Sequence, residues 1–245
     1  MAKHENETAE LYEQVWRRGT YSGFSRNTCG ESSTPLLEAF LREVKSLGAK
    51  APRIVELGAG SCDHAMRFAR EGFPTTAVEY SRSAVTAARE RARACPGLML
   101  EIVQADLFAF TSQLPRRTSA GVYANAVFHF LTGEQRRSEY RILREALVDR
   151  GALAISFKAH GDALERRGSV VETNRAGAVV EGEDGIRRLF VASPNALAAE
   201  MRGEGYTVRQ VIHWSVPNYN IAGESGMFVG ILAARRDVPR TRSGA

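Results

Sequence analysis

The sequence predicts an α/β fold in which helices cover both faces of a mostly parallel, seven-stranded sheet. Short apolar runs alternate with amphipathic segments of helical length between residues 53 and 157. Such alternation implies right-handed crossover connections and therefore parallel strands. The last two apolar runs, 206–214 and 227–233, have no helical segment between them. They should therefore pair antiparallel and finish the sheet.

Each element follows from periodicity and from its end signals. Helices are predicted at 5–18, 34–47, 63–71, 83–94, 133–148 and 194–202. Parallel strands are predicted at 53–57, 75–79, 98–104, 121–126 and 152–157, with a possible hairpin at 178–190. The chain then divides into an N-terminal helix with a lid-like loop (1–33), one domain (34–234) and a basic, disordered tail (235–245).

Composition excludes several classes of protein. The chain has 245 residues, and no apolar stretch reaches the roughly 18 residues that a membrane span needs. Its polar, acidic beginning does not resemble a secretory signal, so we expect a cytoplasmic protein without a membrane partner. The net charge of +5 lies mainly in the tail, which argues against a nucleic-acid partner. Three cysteines without a CxxC spacing predict no metal site, and the oligomeric state is not specified.

A glycine-rich turn follows the first predicted strand. Gly58, Ala59 and Gly60 precede a helix, so the backbone can turn sharply and a ligand can approach the helix N-terminus. Glu79 ends the next strand, where a carboxylate can accept hydrogen bonds from ribose hydroxyls, and Tyr80 follows it. This arrangement predicts a site for a nucleoside-containing cofactor.

Three acidic residues bear on which cofactor this is. The nicotinamide fingerprint needs a glycine where the chain has Asp63. Glu56 precedes the first glycine by two residues and would repel a pyrophosphate, whereas it suits a cationic ligand such as S-adenosylmethionine (SAM). Asp106, after the third strand, could accept a hydrogen bond from an adenine amine. Alternatively, Glu56 and Asp106 are helix-cap or loop carboxylates.

These motifs resemble those of class I SAM-dependent methyltransferases. The resemblance rests on residues 56–60, Glu79 and residues 104–106, with support from 123–131, 151–158 and 226–232, and is greatest for the tellurite-resistance-type (TehB-like) small-molecule enzymes. It implies a Rossmann-like fold, in which Gly58 and Gly60 face the methionine part of SAM. It also implies that Glu79 binds the ribose and Asp106 the adenine, with Leu107 beside it. Cys62 stands where family members often have another glycine.

The acceptor side is less well defined. His129 follows the fourth strand and is the candidate general base, although it could instead pack between two phenylalanines. Asn125 and Tyr123 could contact the acceptor or the amino group of SAM. Three aromatic residues of the N-terminal segment could close over a substrate: Tyr12, Trp16 and Tyr21. His160, His213, Arg187 and Arg188 are interpreted as surface or strand residues, although the two arginines could meet an acidic substrate.

The sequence favours methyl transfer to O, N, C or a chalcogen of a small-molecule acceptor, in natural-product tailoring or detoxification. Three alternatives stay open. A nucleic-acid methyltransferase lacks support because residues 125–128 do not form an Asn/Asp-Pro-Pro-aromatic motif. A nicotinamide-dependent oxidoreductase conflicts with Glu56 and Asp63. A non-catalytic SAM-binding protein of the same fold would have the same cofactor motifs.

Overall fold

The structure is a computed structural model that describes residues 10, 13–14, 16–17, 33–48, 52–217, 221 and 223–236. Its helices are α1 (Pro35–Lys45), α2 (Asp63–Arg70), α3 (Arg82–Arg93), α4 (Leu107–Thr111), α5 (Gly133–Ala146) and α6 (Pro194–Gly203). The first strands are β1 (Arg53–Leu57), β2 (Thr75–Glu79), β3 (Leu100–Gln104), β4 (Ser119–Ala124) and β5 (Leu147–Ala159). They are followed by β6 (Ser169–Thr173), β7 (Gly177–Glu181), β8 (Arg187–Val191), β9 (Tyr206–Pro217) and β10 (Ser225–Arg235).

The predicted seven-stranded sheet is confirmed. Strands β3, β2, β1, β4 and β5 lie side by side in that order, and every neighbouring pair is parallel. β10 then pairs antiparallel with β5, and β9 pairs antiparallel with β10. Because the parallel strands all end at the same edge, the loops that follow them meet there.

A three-stranded extension, β6–β8, enlarges this sheet. β8 pairs in parallel with the end of β5 at Lys158 and Ala159, while β7 and β6 continue outward in antiparallel order. The predicted hairpin at 178–190 corresponds to β7 and β8. β6 was not predicted, because all five of its residues are exposed and give no alternating apolar pattern.

Helix α1 closes one face of the sheet. Thr34 caps it by accepting a hydrogen bond from Leu37 N at 3.1 Å, and Pro35 occupies its first turn. Its buried side includes Phe40, whose ring lies 5.3 Å from the ring of Tyr123 on β4 (centroid to centroid). Helix α1 is thereby packed against β4, and Thr34 Oγ1 at its start lies 3.4 Å from the hydroxyl of Tyr123.

The C-terminal boundary differs from the predicted one. Arg235 was assigned to the tail, but it is the last residue of β10 and is buried. Its Nη1 donates to the carbonyl oxygens of Arg144 and Leu147 at the C-terminus of α5, where a cation also interacts favourably with the helix dipole. Residues 237–245 of the predicted tail lie outside the described residues. No helix in the described part of the chain is long and apolar enough to span a membrane.

Candidate active site

A cavity of about 510 Å³ lies at the edge where the parallel strands end. This volume is within the range typical of small-molecule sites. The glycine turn after β1, Glu79 at the end of β2 and the loop after β4 all contribute to its wall. Lining residues proposed from the sequence are Trp16, Glu56, Gly58, Ala59, Gly60, Glu79, Tyr80, Asp106, Leu107, Asn125 and His129.

The glycine turn has a conformation that side chains disfavour. Gly58 and Gly60 have φ values of +64° and +52°. A Cβ atom on Gly58 would lie 2.3 Å from Cγ2 of Val127, so the turn packs directly against the loop that follows β4. Between the glycines, Ala59 N donates to the carbonyl oxygen of Val78 at 2.9 Å. The turn is thus fixed to β2 and leaves its own edge open to the cavity.

Glu79 holds this turn together. Gly60 N donates to its Oε2 and Ser81 N to its Oε1, both at 2.8 Å. Burial raises the pKa of the Glu79 carboxyl, and the backbone N–H donors oppose that rise. A carboxylate has about four acceptor positions, so Glu79 can still accept ribose hydroxyl hydrogens.

Glu56 is a buried carboxylate on β1 with an incomplete set of partners. Its Oε1 lies 3.0 Å from Nδ1 of His64, whereas its Oε2 has no hydrogen-bond partner among the described residues. Burial raises the pKa of Glu56, and His64 opposes that rise. The helix-cap interpretation does not apply to Glu56, since it lies inside a strand. An acidic group of this kind at a cavity wall fits a ligand that carries positive charge or N–H donors.

For Asp106 the helix-cap interpretation is confirmed, and the contact with adenine stays a prediction. Its Oδ1 accepts a hydrogen bond from Ala109 N at 3.0 Å and caps helix α4, and the residue also lines the cavity. Leu107 and Phe108 lie beside it on the same wall. Tyr80 is 43% exposed at the rim.

A serine that the sequence interpretation overlooked orients Asn125. Ser156 Oγ donates to Asn125 Oδ1 at 2.7 Å and accepts from Ala126 N at 2.8 Å. Ala126 has a φ of +58°, so this bond also stabilises a disfavoured turn. Because the amide oxygen is engaged by Ser156, the amide NH₂ of Asn125 can serve as a donor.

His129 lies in a 3-10 turn, Phe128–Phe130, and is only 3% exposed. Its Nδ1 is buried without a hydrogen-bond partner among the described residues. Burial lowers the pKa of His129 well below its usual value, and the nearby charges of Lys158 and Arg188 lower it further. The imidazole is therefore neutral, and it both lines the cavity and packs against Phe130.

The remaining histidine and tyrosine candidates either do not line the cavity or lie outside the described residues. Tyr123 was proposed to contact the acceptor, but its ring is fully buried between α1 and α2 and does not line the cavity. His160 is mostly exposed and lies 3.0 Å from Glu165, and His213 is exposed on β9. Tyr12 and Tyr21 lie outside the described residues.

Among the lining residues that the sequence did not identify as site residues, four can contribute charge or aromatic surface: Lys158, Arg188, Trp214 and Phe228. Arg187 is an exposed strand residue paired with Glu181 at 2.7 Å, as predicted. That interpretation is wrong for Arg188, which is 7% exposed and faces the cavity. Strand alternation could have separated the two arginines, since adjacent strand residues face opposite sides. Within the described residues, no group of three or more His, Cys, Asp or Glu side chains could hold a metal ion.

The chain is similar to known proteins in sequence over its middle part and in fold over most of its length. Residues 54–151 match a family model described as a methyltransferase domain. No curated protein sequence is significantly similar to the chain. Among solved structures, the chain is similar to the 1,6-didemethyltoxoflavin-N1-methyltransferase of Burkholderia thailandensis, with bound 1,6-didemethyltoxoflavin and S-adenosylhomocysteine, at a TM-score of 0.62. The identity is 14%, over 95% of this chain and 90% of that one.

Two further structures show the range of this fold. The glycopeptide N-methyltransferase MtfA, complexed with SAM, has a TM-score of 0.54 and 21% identity, over 90% of this chain and 97% of that one. The [4+2]-cyclase SpnF has a TM-score of 0.60 and 14% identity, over 94% and 96%. The chain therefore has the Rossmann-like fold of SAM-dependent methyltransferases. Because the neighbours include a cyclase, the fold alone does not specify the reaction.

Proposed function

We propose that this protein is a SAM-dependent methyltransferase that acts on a small-molecule acceptor. One observation carries the proposal: the buried carboxylate of Glu56 and the half-buried carboxylate of Glu79 flank a glycine turn in a single cavity. Negative charge around this turn suits a cationic cofactor and disfavours a pyrophosphate. Oε2 of Glu56 has no hydrogen-bond partner among the described residues, which gives a specific reason to expect a ligand with positive charge or N–H donors.

The roles of the remaining residues follow from the family resemblance together with their positions on the cavity wall. Gly58, Ala59 and Gly60 would contact the methionine part of SAM, and Glu79 the ribose. Asp106 and Leu107 would contact the adenine, with Tyr80 at the rim. Asn125 would donate its amide to the cofactor or the acceptor. A closer relationship to the tellurite-resistance-type enzymes is part of the same proposal.

When bound, SAM supplies a methyl group on a cationic sulfur: the acceptor nucleophile bonds to the methyl carbon, the carbon–sulfur bond breaks, and S-adenosylhomocysteine is left. The chain would align the two molecules and exclude water, and these effects can provide much of the rate. His129 would accept a proton from an acceptor that carries one. Its neutral imidazole is ready to do so, although its lowered pKa makes it a weak base.

The small-molecule part of the proposal is supported by the size of the cavity and by its partial closure. Trp16 lines it beside the glycine turn, with its Cζ2 atom 3.2 Å from the Cβ position of Gly60. The segment 1–33 would thus supply part of a lid, as the sequence suggests. The solved neighbours named above that bind 1,6-didemethyltoxoflavin or modify a glycopeptide support the same substrate range.

A calorimetric titration with S-adenosylhomocysteine tests the site. Glu79→Gln keeps the size of the side chain but removes its charge, so we expect affinity to fall about tenfold or more. Glu101→Gln, on the exposed side of edge strand β3, is the matched control and should leave affinity unchanged. Equal affinities for the two variants would contradict the proposed placement of the cofactor.

A further inference from the structure

The acidic lining residues and the two cations Lys158 and Arg188 belong to different ends of the cavity. Every acidic lining residue belongs to the cofactor end: Glu56, Asp63, Glu79 and Asp106. We define the acceptor end by six other lining residues: His129, Phe130, Lys158, Arg188, Trp214 and Phe228. It has two cations and no acidic lining residue among those described. The two ends therefore favour ligands of opposite charge.

The floor of the acceptor end is a row of side chains across the sheet. Phe228 on β10 is in register with Lys158 on β5 and with Trp214 on β9. The rings of Phe228 and Trp214 are stacked, with centroids 5.5 Å apart and planes inclined by 13°. Paired residues share one face of a sheet, so the two stacked rings form an aromatic pair beside the ammonium group.

Lys158 lies at the β5 end of this row, next to Phe228. Its Nζ donates to Asp162 Oδ2 at 2.9 Å and lies 4.3 Å from the centre of the Phe228 ring. An ammonium has three donors, and no other described residue accepts a hydrogen bond from this one. Asp162 is fully buried and does not line the cavity. Burial lowers the pKa of Lys158, and Asp162 opposes that effect.

Arg188 brings a second cation to the acceptor end from the β6–β8 extension. Lys158 pairs with Phe190, and Arg188 lies two residues before Phe190 on β8, on the same face. Asp184 holds the guanidinium through both of its carboxylate oxygens, at 3.0 and 2.5 Å, yet it is not part of the cavity wall. The extension therefore supplies a fixed positive group that the seven-stranded sheet alone would lack.

His129 completes this end as a buried side chain. Its Nδ1 makes no hydrogen bond to a described residue, although the side chain is almost completely buried on the cavity wall. It is close enough to Lys158 and Arg188 for both to affect its titration. A polar ligand in this position would satisfy His129 and face both cations.

We propose that the acceptor end binds a planar organic anion, with its negative group near Lys158 and Arg188 and its ring against the aromatic pair of Phe228 and Trp214. This inference rests on the proposed methyltransferase function and names its substrate class. Because the negative group of such an acceptor has no proton to lose, it hardly needs His129 as a base. This agrees with the buried, neutral imidazole. The two cations would select against uncharged molecules of the same shape.

A matched pair of probes tests the inference. 2-Naphthoate and 2-naphthamide have the same ring system and differ in charge, and each is titrated into protein saturated with S-adenosylhomocysteine. We expect the carboxylate to bind about tenfold more tightly than the amide. In Lys158→Met this preference should fall to about twofold or less. Lys45→Met, which removes an exposed lysine paired with Glu71, should keep the full preference.

The outcomes separate this inference from the proposed function. Affinity for S-adenosylhomocysteine reports whether each variant is folded at the cofactor end. If Lys158→Met loses that affinity, Arg188→Gln provides the second test of the charge. Equal binding of the two probes by the unmodified protein would overturn the inference and leave the cofactor proposal standing. A preference unchanged in both variants would also overturn it. Failure to bind S-adenosylhomocysteine would instead contradict the proposed function.

Discussion

Replacing Gly58 with alanine should destabilise the fold and weaken cofactor binding at the same time. Two independent costs are expected at this position. Its φ of +64° lies in the left-handed region, which costs a residue with a Cβ about 1–2 kcal/mol. The new methyl carbon would also lie 2.3 Å from Val127 Cγ2, and relief of such overpacking typically costs about 1–3 kcal/mol. The two costs together amount to about 2–5 kcal/mol.

The free energy of unfolding, from urea denaturation followed by circular dichroism, measures this loss. Gly72→Ala is the matched control, because Gly72 has a φ of +90° but no atom within 4 Å of its Cβ position. It should show only the backbone cost. The titration with S-adenosylhomocysteine, made on the same samples, should show weaker binding for Gly58→Ala and unchanged binding for Gly72→Ala.

A second substitution separates the two costs. Val127→Ala removes Cγ2 and leaves Val127 Cβ, at 3.5 Å, as an ordinary contact of the new methyl group. The double variant should therefore recover about 1–3 kcal/mol relative to the sum of the single changes. The reasoning is refuted if the two changes add to within about 0.5 kcal/mol, or if Gly58→Ala is no less stable than Gly72→Ala.

Three further predictions concern buried polar groups. Burial lowers the pKa of His129, and a base works only when neutral, so kcat/KM should keep its plateau to below about pH 6.5 in a pH profile with an identified acceptor. Burial raises the pKa of Glu139 to about 7, so Glu139→Gln should increase the free energy of unfolding at about pH 8, by up to about 3 kcal/mol, and have little effect at about pH 4. Tyr123→Phe removes a hydroxyl whose described partner is Thr34 Oγ1 at 3.4 Å; stability should change by less than about 1 kcal/mol and affinity for S-adenosylhomocysteine not at all.

Each of these predictions has a clear contrary result. An inflection at or above about pH 6.5 that disappears in His129→Gln would show that this imidazole is not held neutral. For Glu139, the folded state favours the protonated form, so stability due to this group falls as pH rises between about 4.5 and 7. An equal effect of Glu139→Gln at both pH values would contradict this. A large loss of affinity for S-adenosylhomocysteine in Tyr123→Phe would show that Tyr123 does contribute to cofactor binding.

The sequence was sufficient for the seven-stranded sheet because its central strands are buried on both faces. β1 and β2 were predicted with their observed limits, since four residues in a row are buried in each. Helix α4 was missed because a single apolar turn, LFAFT, has no distinguishable period. The extension was only partly predicted, because its outer strand β6 is exposed throughout.

The lining of the cavity was predictable where it comes from one strand end and the turn after it. Gly58, Gly60 and Glu79 are of this kind, because neighbouring parallel strands bring their ends together. The acceptor end depends on registers between strands that are far apart in sequence. Trp214, Phe228 and Lys158 form one row only because β9, β10 and β5 pair in a particular alignment. Periodicity within a strand contains no information about that alignment.

Cofactor binding by the unmodified protein tests the central claim most directly. SAM, S-adenosylhomocysteine and NAD are titrated in parallel by calorimetry under the same conditions. The account predicts that SAM and S-adenosylhomocysteine bind one molecule per chain with roughly micromolar dissociation constants, while NAD gives no measurable heat of binding. Preferential binding of NAD, or no binding of either sulfur-containing ligand, would contradict it.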